Sequence, residues 1–160
     1  MRIGHGYDVH RLITGRKLIL GGVEIEHHKG LYGHSDADVL IHAVIDAILG
    51  ALALGDIGSH FPDSDLVYKG INSRILLCKT CEIMKSAGYK ISNIDSTICA
   101  QKPRLRPFIP QMIENIAHDL ETSISCVSVK ATTEEGLGFT GNEEGMSATT
   151  VVLLENIDKQ

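Results

Sequence analysis

Residues 7–12, with the sequence YDVHRL, place an aspartate and a histidine two positions apart in a segment that alternates like a β-strand. Side chains two residues apart on a strand point to the same face, so Asp8 and His10 can coordinate one ion from the same side. A carboxylate and an imidazole are both metal ligands. Because an isolated pair of this kind is more often a surface pair, a metal site needs a third ligand.

His42 is the candidate third ligand, since it lies in the middle of an otherwise apolar helical segment, residues 39–54. A core histidine usually satisfies its ring nitrogens on backbone carbonyls. Here, however, Asp38 and Asp46 lie one turn either side of it on the same helix face. A carboxylate next to a ligating imidazole is a common supporting partner, so Asp46 is predicted to orient His42 or a neighbouring ligand. Two histidines and one aspartate leave a fourth position open, which favours a catalytic zinc.

Two further loops have the composition of phosphate-binding segments. In GHSDAD, His34 and Ser35 come immediately before a predicted helix start, where free amides and the helix dipole favour anions. In KATTEEGLGF, Thr132 and Thr133 offer hydroxyl donors, and a glutamate such as Glu135 can hold magnesium beside a bound phosphate. Each loop alone is also explained by capping and turn chemistry. Together with an open metal site, the two loops favour a phosphorylated substrate.

The elements that must position these residues are predicted from hydrophobic periodicity. Alternation predicts strands at residues 1–12, on either side of the turn at Gly21 and Gly22, at 89–100, at 126–133 and at 147–154. Helices are predicted from near Ala37, capped by Ser35 or Asp36, then at 71–87 with Gly88 as its cap, and at 108–121. This order predicts an α/β (α+β) fold in a single domain, residues 1–160, with a mostly four-stranded mixed sheet and three long helices on one face.

Composition excludes several classes of partner. The chain has 160 residues and a formal net charge of −5, with no cluster of Lys or Arg, so a nucleic-acid surface is not expected. The apolar run at residues 39–54 is too short for a membrane span, and no charged-then-apolar leader precedes the first strand. The bacterial cytoplasm, or a plastid after removal of a transit peptide, is the expected location. Cys78 and Cys81 form a lone C-x-x-C, interpreted as packing rather than as a redox or zinc pair.

Five motifs in order resemble the family of 2-C-methyl-D-erythritol 2,4-cyclodiphosphate synthases of the non-mevalonate (MEP) isoprenoid pathway. They are GHGYDVHRL, LYGHSDADVLIHAVIDAILGA, GDIGSHFPDSD, AQKPRLRP and TTEEGLGFTGNEEGMSA, and the resemblance runs from Met1 to the last strand. Five motifs at matching positions are far more specific than the single D-x-H pattern.

The resemblance implies a set of site residues. It implies one zinc ion per active site on Asp8, His10 and His42, and a magnesium or manganese ion on Glu135 that bridges the substrate diphosphate. His34 and Thr133 are implied as catalytic positions, with Ser35 near the diphosphate. The implied cytidine site comprises Ala100, Gln101, Lys102, Pro103, Arg104, Leu105, Arg106, Ala131 and Thr132. The implied methylerythritol phosphate site comprises Asp56, Ile57, Gly58, Phe61, Pro62, Asp63, Ser64 and Asp65, and Phe139 and Asn142 are further implied substrate-binding positions.

The implied reaction is intramolecular. The 2-phosphate of 4-diphosphocytidyl-2-C-methyl-D-erythritol 2-phosphate attacks the β-phosphorus of its own CDP group, which closes the cyclic diphosphate and expels CMP, so the enzyme is a phosphorus–oxygen lyase. The family also implies a homotrimer with active sites between subunits. Many members carry an arginine where this chain has Asn142. That arginine helps to hold an isoprenoid diphosphate in the central cavity of the trimer, so weaker binding of this ligand is expected here.

Two other functions fit the same candidate ligands. A hydrolytic zinc phosphoesterase would use a metal-bound water as its nucleophile and would release inorganic or sugar phosphate. A non-catalytic zinc-binding interaction domain would need a closed site of four protein ligands, and the sequence offers no convincing fourth ligand.

Overall fold

The computed structural model describes residues 1–157 of the chain. Five strands form one mixed sheet: β1 (Arg2–Thr14), β4 (Lys29–Tyr32), β5 (Tyr89–Cys99), β6 (Val127–Thr132) and β7 (Gly145–Asn156), in the order β4-β1-β7-β5-β6. Strands β5 and β6 are parallel, and the other pairs are antiparallel. A separate hairpin is made by β2 (Leu18–Leu20) and β3 (Val23–Ile25), as predicted around Gly21 and Gly22.

The mixed α/β fold predicted from the sequence is confirmed, and the sheet carries one more strand than expected. Strand β4 lies in a segment for which no strand was predicted, and it pairs with residues 11–14 of β1, which continue beyond the predicted end of that strand. A segment of four residues that includes Gly30 is too short for its hydrophobic pattern to predict a strand. Pairing with the neighbouring strand therefore creates β4.

Three long helices cover the sheet: α1 (Val39–Ala51), α3 (Ser73–Ser86) and α4 (Ile109–Asp119). Two shorter ones, α2 (Ile57–His60) and α5 (Gly138–Gly141), lie in the loops. Helix α1 packs on β1 and β7, α4 packs on β6, and α3 contacts α1 and α4. The apolar residues between these layers form one continuous core. None of the helices within residues 1–157 has the length and apolar character needed to cross a membrane.

Two glycines on β1 allow α1 to lie unusually close to the sheet. Gly4 and Gly6 are buried on the face of β1 that also carries Asp8 and His10. A Cβ added at Gly4 would lie 1.9 Å from the carbonyl oxygen of Ala47, and one at Gly6 would lie 2.0 Å from that of Ala43. Any side chain at these positions would push the helix away from the strand. The strand's inner face therefore consists of small residues, followed directly by the candidate ligands.

Helix α1 begins two residues later than predicted, and Asp38 rather than Ser35 or Asp36 is its N-terminal cap. The Asp38 carboxylate is fully buried and accepts from three backbone amides, those of Gly21, Gly22 and Ile41, at 2.7–3.1 Å. It therefore joins the helix to the β2–β3 turn. The predicted cap lies too early because Ser35, Asp36 and Asp38 are all residue types that cap helices and stand within four positions of one another.

Candidate metal and nucleotide sites

The three predicted metal ligands meet at one point between β1 and α1. Asp8 Oδ2 lies 3.0 Å from His10 Nε2 and 3.0 Å from His42 Nδ1, and the two ring nitrogens are 3.1 Å apart. Among residues 1–157 they form the one group of three such side chains close enough to hold a metal ion. Asp8 and His10 are partly exposed and His42 is buried, so the group opens toward solvent on one side.

The hydrogen bonds of His10 show which of its nitrogens is available. His10 Nδ1 lies 2.9 Å from the carbonyl oxygen of Tyr32, which can only accept a hydrogen bond. A proton on Nδ1 leaves the lone pair of Nε2 directed at Asp8 and His42. The edge strand β4, which supplies Tyr32, thereby orients one of the ligands.

The charges of the group favour a cation. Burial opposes ionisation of Asp8, but the neighbouring imidazoles of His10 and His42 outweigh it and hold the pKa of that carboxyl well below its usual range. Burial also lowers the pKa of His10, yet the adjacent carboxylate of Asp8 outweighs this and raises it above the ordinary histidine value. An ionised carboxylate facing two imidazoles therefore attracts positive charge at neutral pH.

The donor set fits a divalent metal. Tetrahedral ligands at zinc bond lengths of about 2.0–2.1 Å are roughly 3.3 Å from one another, close to the 3.0–3.1 Å separations seen here. The facing ring nitrogens of His10 and His42, 3.1 Å apart, are at a separation that a shared cation would also satisfy. Two histidines and one aspartate leave at least one position for substrate, as in catalytic rather than structural sites.

Asp46 lies close enough to His42 and Asp8 to interact with their charges, but its hydrogen bond is to another segment. Its Oδ1 accepts a hydrogen bond from the backbone amide of Ile57 at 2.7 Å and so holds the start of α2. The far nitrogen of His42, Nε2, instead faces Ser73 Oγ at 2.8 Å and Ser35 Oγ at 3.2 Å. Ser73, the first residue of α3, was missed by sequence analysis, because a serine at a helix start has many ordinary reasons to be there.

A cavity of about 360 Å³ opens beside the metal ligands. Its lining includes ten of the predicted site residues: Asp8, His10, His34, Ser35, His42, Ile57, Gly58, Phe61, Pro62 and Asp63. Tyr68, Ile71 and Leu76 complete an apolar wall that sequence analysis did not identify. His34 Nε2 is buried and has no hydrogen-bond partner among the described residues, so it is free to donate to or accept from a ligand.

The other predicted substrate-binding residues of the segment 56–65 either make hydrogen bonds within that segment or are exposed. Asp56 caps α2 by accepting from the amide and hydroxyl of Ser59, and Asp65 accepts from the amide of Val67. Ser64 is exposed between them. At the first turn of α1, where free amides were expected to favour an anion, the amide of Ile41 already donates to the Asp38 carboxylate. This amide is therefore not available to a phosphate.

A second cavity, of about 620 Å³, lies at the carboxyl ends of β5 and β6; we call it the nucleotide cavity. Its lining includes the whole predicted cytidine set, Ala100, Gln101, Lys102, Pro103, Arg104, Leu105, Arg106, Ala131 and Thr132, together with Thr133. Gln101 Oε1 is buried and has no partner among the described residues. A buried acceptor without a donor is a favourable position for an exocyclic amine of a base.

Two adjacent glutamates beyond β6 have different surroundings. Glu134 accepts a hydrogen bond from the buried hydroxyl of Thr140, which ties it to α5. Glu135 is exposed and accepts from the Thr133 hydroxyl at 3.1 Å. Both side chains are exposed, and Glu135 remains the predicted ligand of the second metal ion. Phe139 and Asn142 lie outside both cavities, on and just after α5, and are exposed.

The metal ligands and the nucleotide cavity are separated within one chain. Asp8 pairs with Ala148 on β7, Ala148 with Ile98 on β5, and Ile98 with Ala131 on β6. Three strand spacings of about 4.8 Å amount to roughly 14 Å, and the inner face between them is covered by core residues. The two cavities share no lining residue.

Comparison with known proteins identifies the class to which this fold and site belong. The sequence profile of the YgbB family matches residues 1–155, and the chain belongs to that family. A protein of Syntrophomonas wolfei named 2-C-methyl-D-erythritol 2,4-cyclodiphosphate synthase is 62% identical over 155 residues, which cover 97% of this chain and 99% of the relative.

Solved structures give the same result. The IspF–CDP complex from Plasmodium falciparum superposes with a TM-score of 0.86 at 35% identity, covering 97% of this chain and 96% of that one. The bifunctional IspDF of Campylobacter jejuni gives a TM-score of 0.93 at 44% identity, and this chain spans 42% of its length. The predicted family, fold and enzyme class, a lyase of the isoprenoid pathway that forms the cyclodiphosphate, are confirmed.

Proposed function

We propose that this chain, as a single domain of residues 1–160, converts 4-diphosphocytidyl-2-C-methyl-D-erythritol 2-phosphate to 2-C-methyl-D-erythritol 2,4-cyclodiphosphate and CMP. The observation that carries the proposal is the open metal site of Asp8, His10 and His42 at the mouth of a cavity. Its relatives are named for this product, and one solved relative is a CDP complex. We place the enzyme in the bacterial cytoplasm, or in a plastid after removal of a transit peptide.

Two cations are proposed for each active site. Zinc is held by Asp8 Oδ2, His10 Nε2 and His42 Nδ1, since a mixed nitrogen and oxygen set of three suits this ion. Magnesium or manganese would be held by Glu135, next to the diphosphate of the substrate. When bound, the cations neutralise the phosphate charge and polarise the phosphoryl oxygens.

The cavity beside the metal ligands is proposed to hold the methylerythritol phosphate end of the substrate. Ile57 and Phe61 supply apolar contact for the carbon skeleton, while the free Nε2 of His34 faces the phosphate groups. The nucleotide cavity is proposed to hold cytidine, with Gln101 on the base and Thr133 directed at the diphosphate. In these roles His34 and Thr133 bind and orient the reacting phosphates.

The proposed reaction needs no strong general base. A 2-phosphate oxygen, already an anion, forms a bond to the β-phosphorus. The bond from that phosphorus to the oxygen bridging the α- and β-phosphates breaks, and CMP leaves with the electron pair. The chain's contribution is to hold the two ends of one substrate in reach of each other and to exclude water from the phosphorus.

A homotrimer with active sites between subunits is proposed as the working assembly. The outer face of the sheet exposes apolar side chains, among them Ile3 at 73%, Tyr7 at 50% and Val9 at 44%. An apolar patch of this kind on a soluble sheet usually marks an interface. A second chain seated there can bring its nucleotide cavity to the metal ligands of the first. This removes the separation of roughly 14 Å that strand spacing imposes within one chain.

Phosphorus NMR of the products tests the function. Protein stripped with EDTA and reloaded with Zn2+ and Mg2+ is incubated with the CDP-methylerythritol phosphate substrate. Equal amounts of CMP and cyclic diphosphate are expected, and the stripped protein should be inactive. Release of inorganic or sugar phosphate would instead establish a zinc phosphoesterase. No turnover by the metal-loaded protein would favour a non-catalytic binding domain.

A further inference from the structure

A chain of hydrogen bonds extends from His42 away from the metal site. Ser73 is fully buried at the start of α3, and its Oγ lies 2.8 Å from His42 Nε2. The same hydroxyl donates to Asp36 Oδ1 at 2.5 Å, and the Ser73 amide donates to Asp36 Oδ2 at 3.0 Å. Asp36 thus fixes Ser73 through both of its carboxylate oxygens.

The direction of these bonds follows from the protons available. An ionised carboxylate can only accept, so the single hydroxyl proton of Ser73 is directed at Asp36. Ser73 Oγ can then only accept from His42, which requires the proton of the imidazole to be on Nε2. A neutral imidazole with Nε2 protonated has its lone pair on Nδ1, the nitrogen that faces Asp8 and His10.

We propose that Ser73 and Asp36 act as a positioning relay that holds His42 in the tautomer whose Nδ1 binds the metal. The proposal deepens the metal site put forward above and rests on it. Neither relay residue lines the cavity beside the metal ligands. Ser73 acts through the imidazole ring, as outer partners of metal-bound histidines generally do. It replaces the role predicted for Asp46, whose carboxylate is bound to the amide of Ile57.

The relay also determines the direction of a second hydroxyl. Ser35 Oγ accepts from the Ala37 amide at 3.0 Å and lies 3.2 Å from His42 Nε2, which already carries a proton. The hydroxyl proton of Ser35 is therefore not needed by His42. Because Ser35 lines the cavity beside the metal ligands, this proton can be donated to a phosphate oxygen there.

Zinc affinity of the S73A variant tests the relay. Competition with a chromophoric chelator should show the dissociation constant for Zn2+ rising about 10- to 100-fold, the usual cost of losing an outer partner. The d–d absorption bands of the Co2+-loaded protein should also shift, because the His42 ring is no longer held. The matched control is S96A, which removes the hydroxyl of another fully buried serine, bonded to Thr150 in the sheet.

The outcomes separate the relay from a merely structural role. If S73A and S96A both melt at lower temperature but keep wild-type zinc affinity and cobalt spectra, Ser73 only supports packing and the relay is refuted. If wild-type protein itself binds no zinc, the proposed metal site fails instead.

Should S73A not fold, histidine nitrogen NMR of metal-free wild-type protein at pH 8.5 decides the point. A proton on His42 Nε2 supports the relay, and a proton on Nδ1 overturns it.

Discussion

At the scale of single residues, the site depends on three atoms from two elements. The carboxylate of Asp8 and the imidazole of His10 project from one strand face, and His42 reaches them from the helix above. Each histidine is oriented by a partner on its far nitrogen, His10 by the Tyr32 carbonyl and His42 by Ser73. The metal site is therefore built largely before a cation arrives.

Replacement of His42 by alanine should remove the tightly bound metal and reduce CMP release to background. One of three ligands is lost, while the cavity left in α1 is small enough for the fold to persist. Metal analysis of the purified protein and circular dichroism check both points. H28A, which removes an exposed histidine outside the site, is the control. Full metal content in H42A would refute the ligand assignment.

Asn142 stands at the position where the family resemblance implies an arginine in many members. An amide cannot replace the planar, charged fork of arginine on a diphosphate. Geranyl diphosphate should therefore bind weakly to the wild-type protein, and N142R should bind it about tenfold or more tightly, as expected for a charge-assisted hydrogen bond. Titration calorimetry measures both. Tight binding by the wild type, unchanged in N142R, would contradict this expectation.

At the scale of elements, the distance between β1 and α1 decides whether the ligands meet. Gly4 and Gly6 remove the side chains that would otherwise separate strand and helix. Beyond them, Asp8 and His10 take the same face just where His42 projects from the helix. Two glycines at alternate positions thus belong to the metal site, although neither can bind a metal.

The substitution G6A should disturb fold and site together. Its Cβ would lie 2.0 Å from the Ala43 carbonyl, so the helix must move, at a cost of about 3 kcal/mol in the free energy of unfolding. Zinc affinity should fall as well, because His42 moves with the helix. The matched control is G50A in the same helix, whose Cβ meets nothing closer than 3.8 Å. It should be neutral or stabilising by up to about 1 kcal/mol. Equal effects of G6A and G50A would exclude the close-packing explanation.

Asp38 gives the α1 cap a pH dependence. Burial, with Asp36 nearby, raises the pKa of Asp38 to about 6 despite its bonds from backbone amides, against 3.8 without these effects. Between these values the folded state holds more protons than the unfolded state, so this group lowers the free energy of unfolding as pH rises.

Relative to D38N, wild-type protein should therefore lose up to about 3 kcal/mol of the free energy of unfolding between about pH 4 and pH 7. Urea unfolding of the metal-free proteins at fixed concentration measures the difference. The comparison with D38N cancels the other carboxylates, which both proteins share. If the free energies of unfolding of the two proteins changed with pH in the same way, the pKa of Asp38 would not be raised in the folded state.

Local patterns were sufficient to predict Asp8, His10 and His42, because strand alternation and an apolar helix each determine which way a side chain points. They were insufficient for Ser73, which lies 31 positions from its partner and meets it only when α3 packs on α1. The same holds for β4, a strand created by pairing, and for Asp46, whose carboxylate is taken by a loop amide. Local patterns in a single sequence do not predict which distant segments come into contact.

At the scale of the whole molecule, the metal ligands and the nucleotide cavity lie on different parts of the sheet. Within one chain, the strands β7 and β5 lie between Asp8 on β1 and Ala131 on β6, and so keep the two sites apart. The exposed apolar face of β1 offers the surface on which chains can associate. In a head-to-tail ring of three, every interface would be equivalent, and each would join one metal site to one nucleotide cavity.

Mixing two inactive variants tests this shared site most directly. H42A lacks a working metal site and E135A lacks the carboxylate beyond the nucleotide cavity. The two are co-expressed in equal amounts, mixed trimers are confirmed by native mass spectrometry, and CMP release is measured. A working site needs its metal ligands from an E135A chain and its nucleotide side from an H42A chain, so about one quarter of sites should be active. Recovery toward one quarter of wild-type activity is the predicted result, whereas activity no greater than that of the separate variants would show that each site lies within one chain.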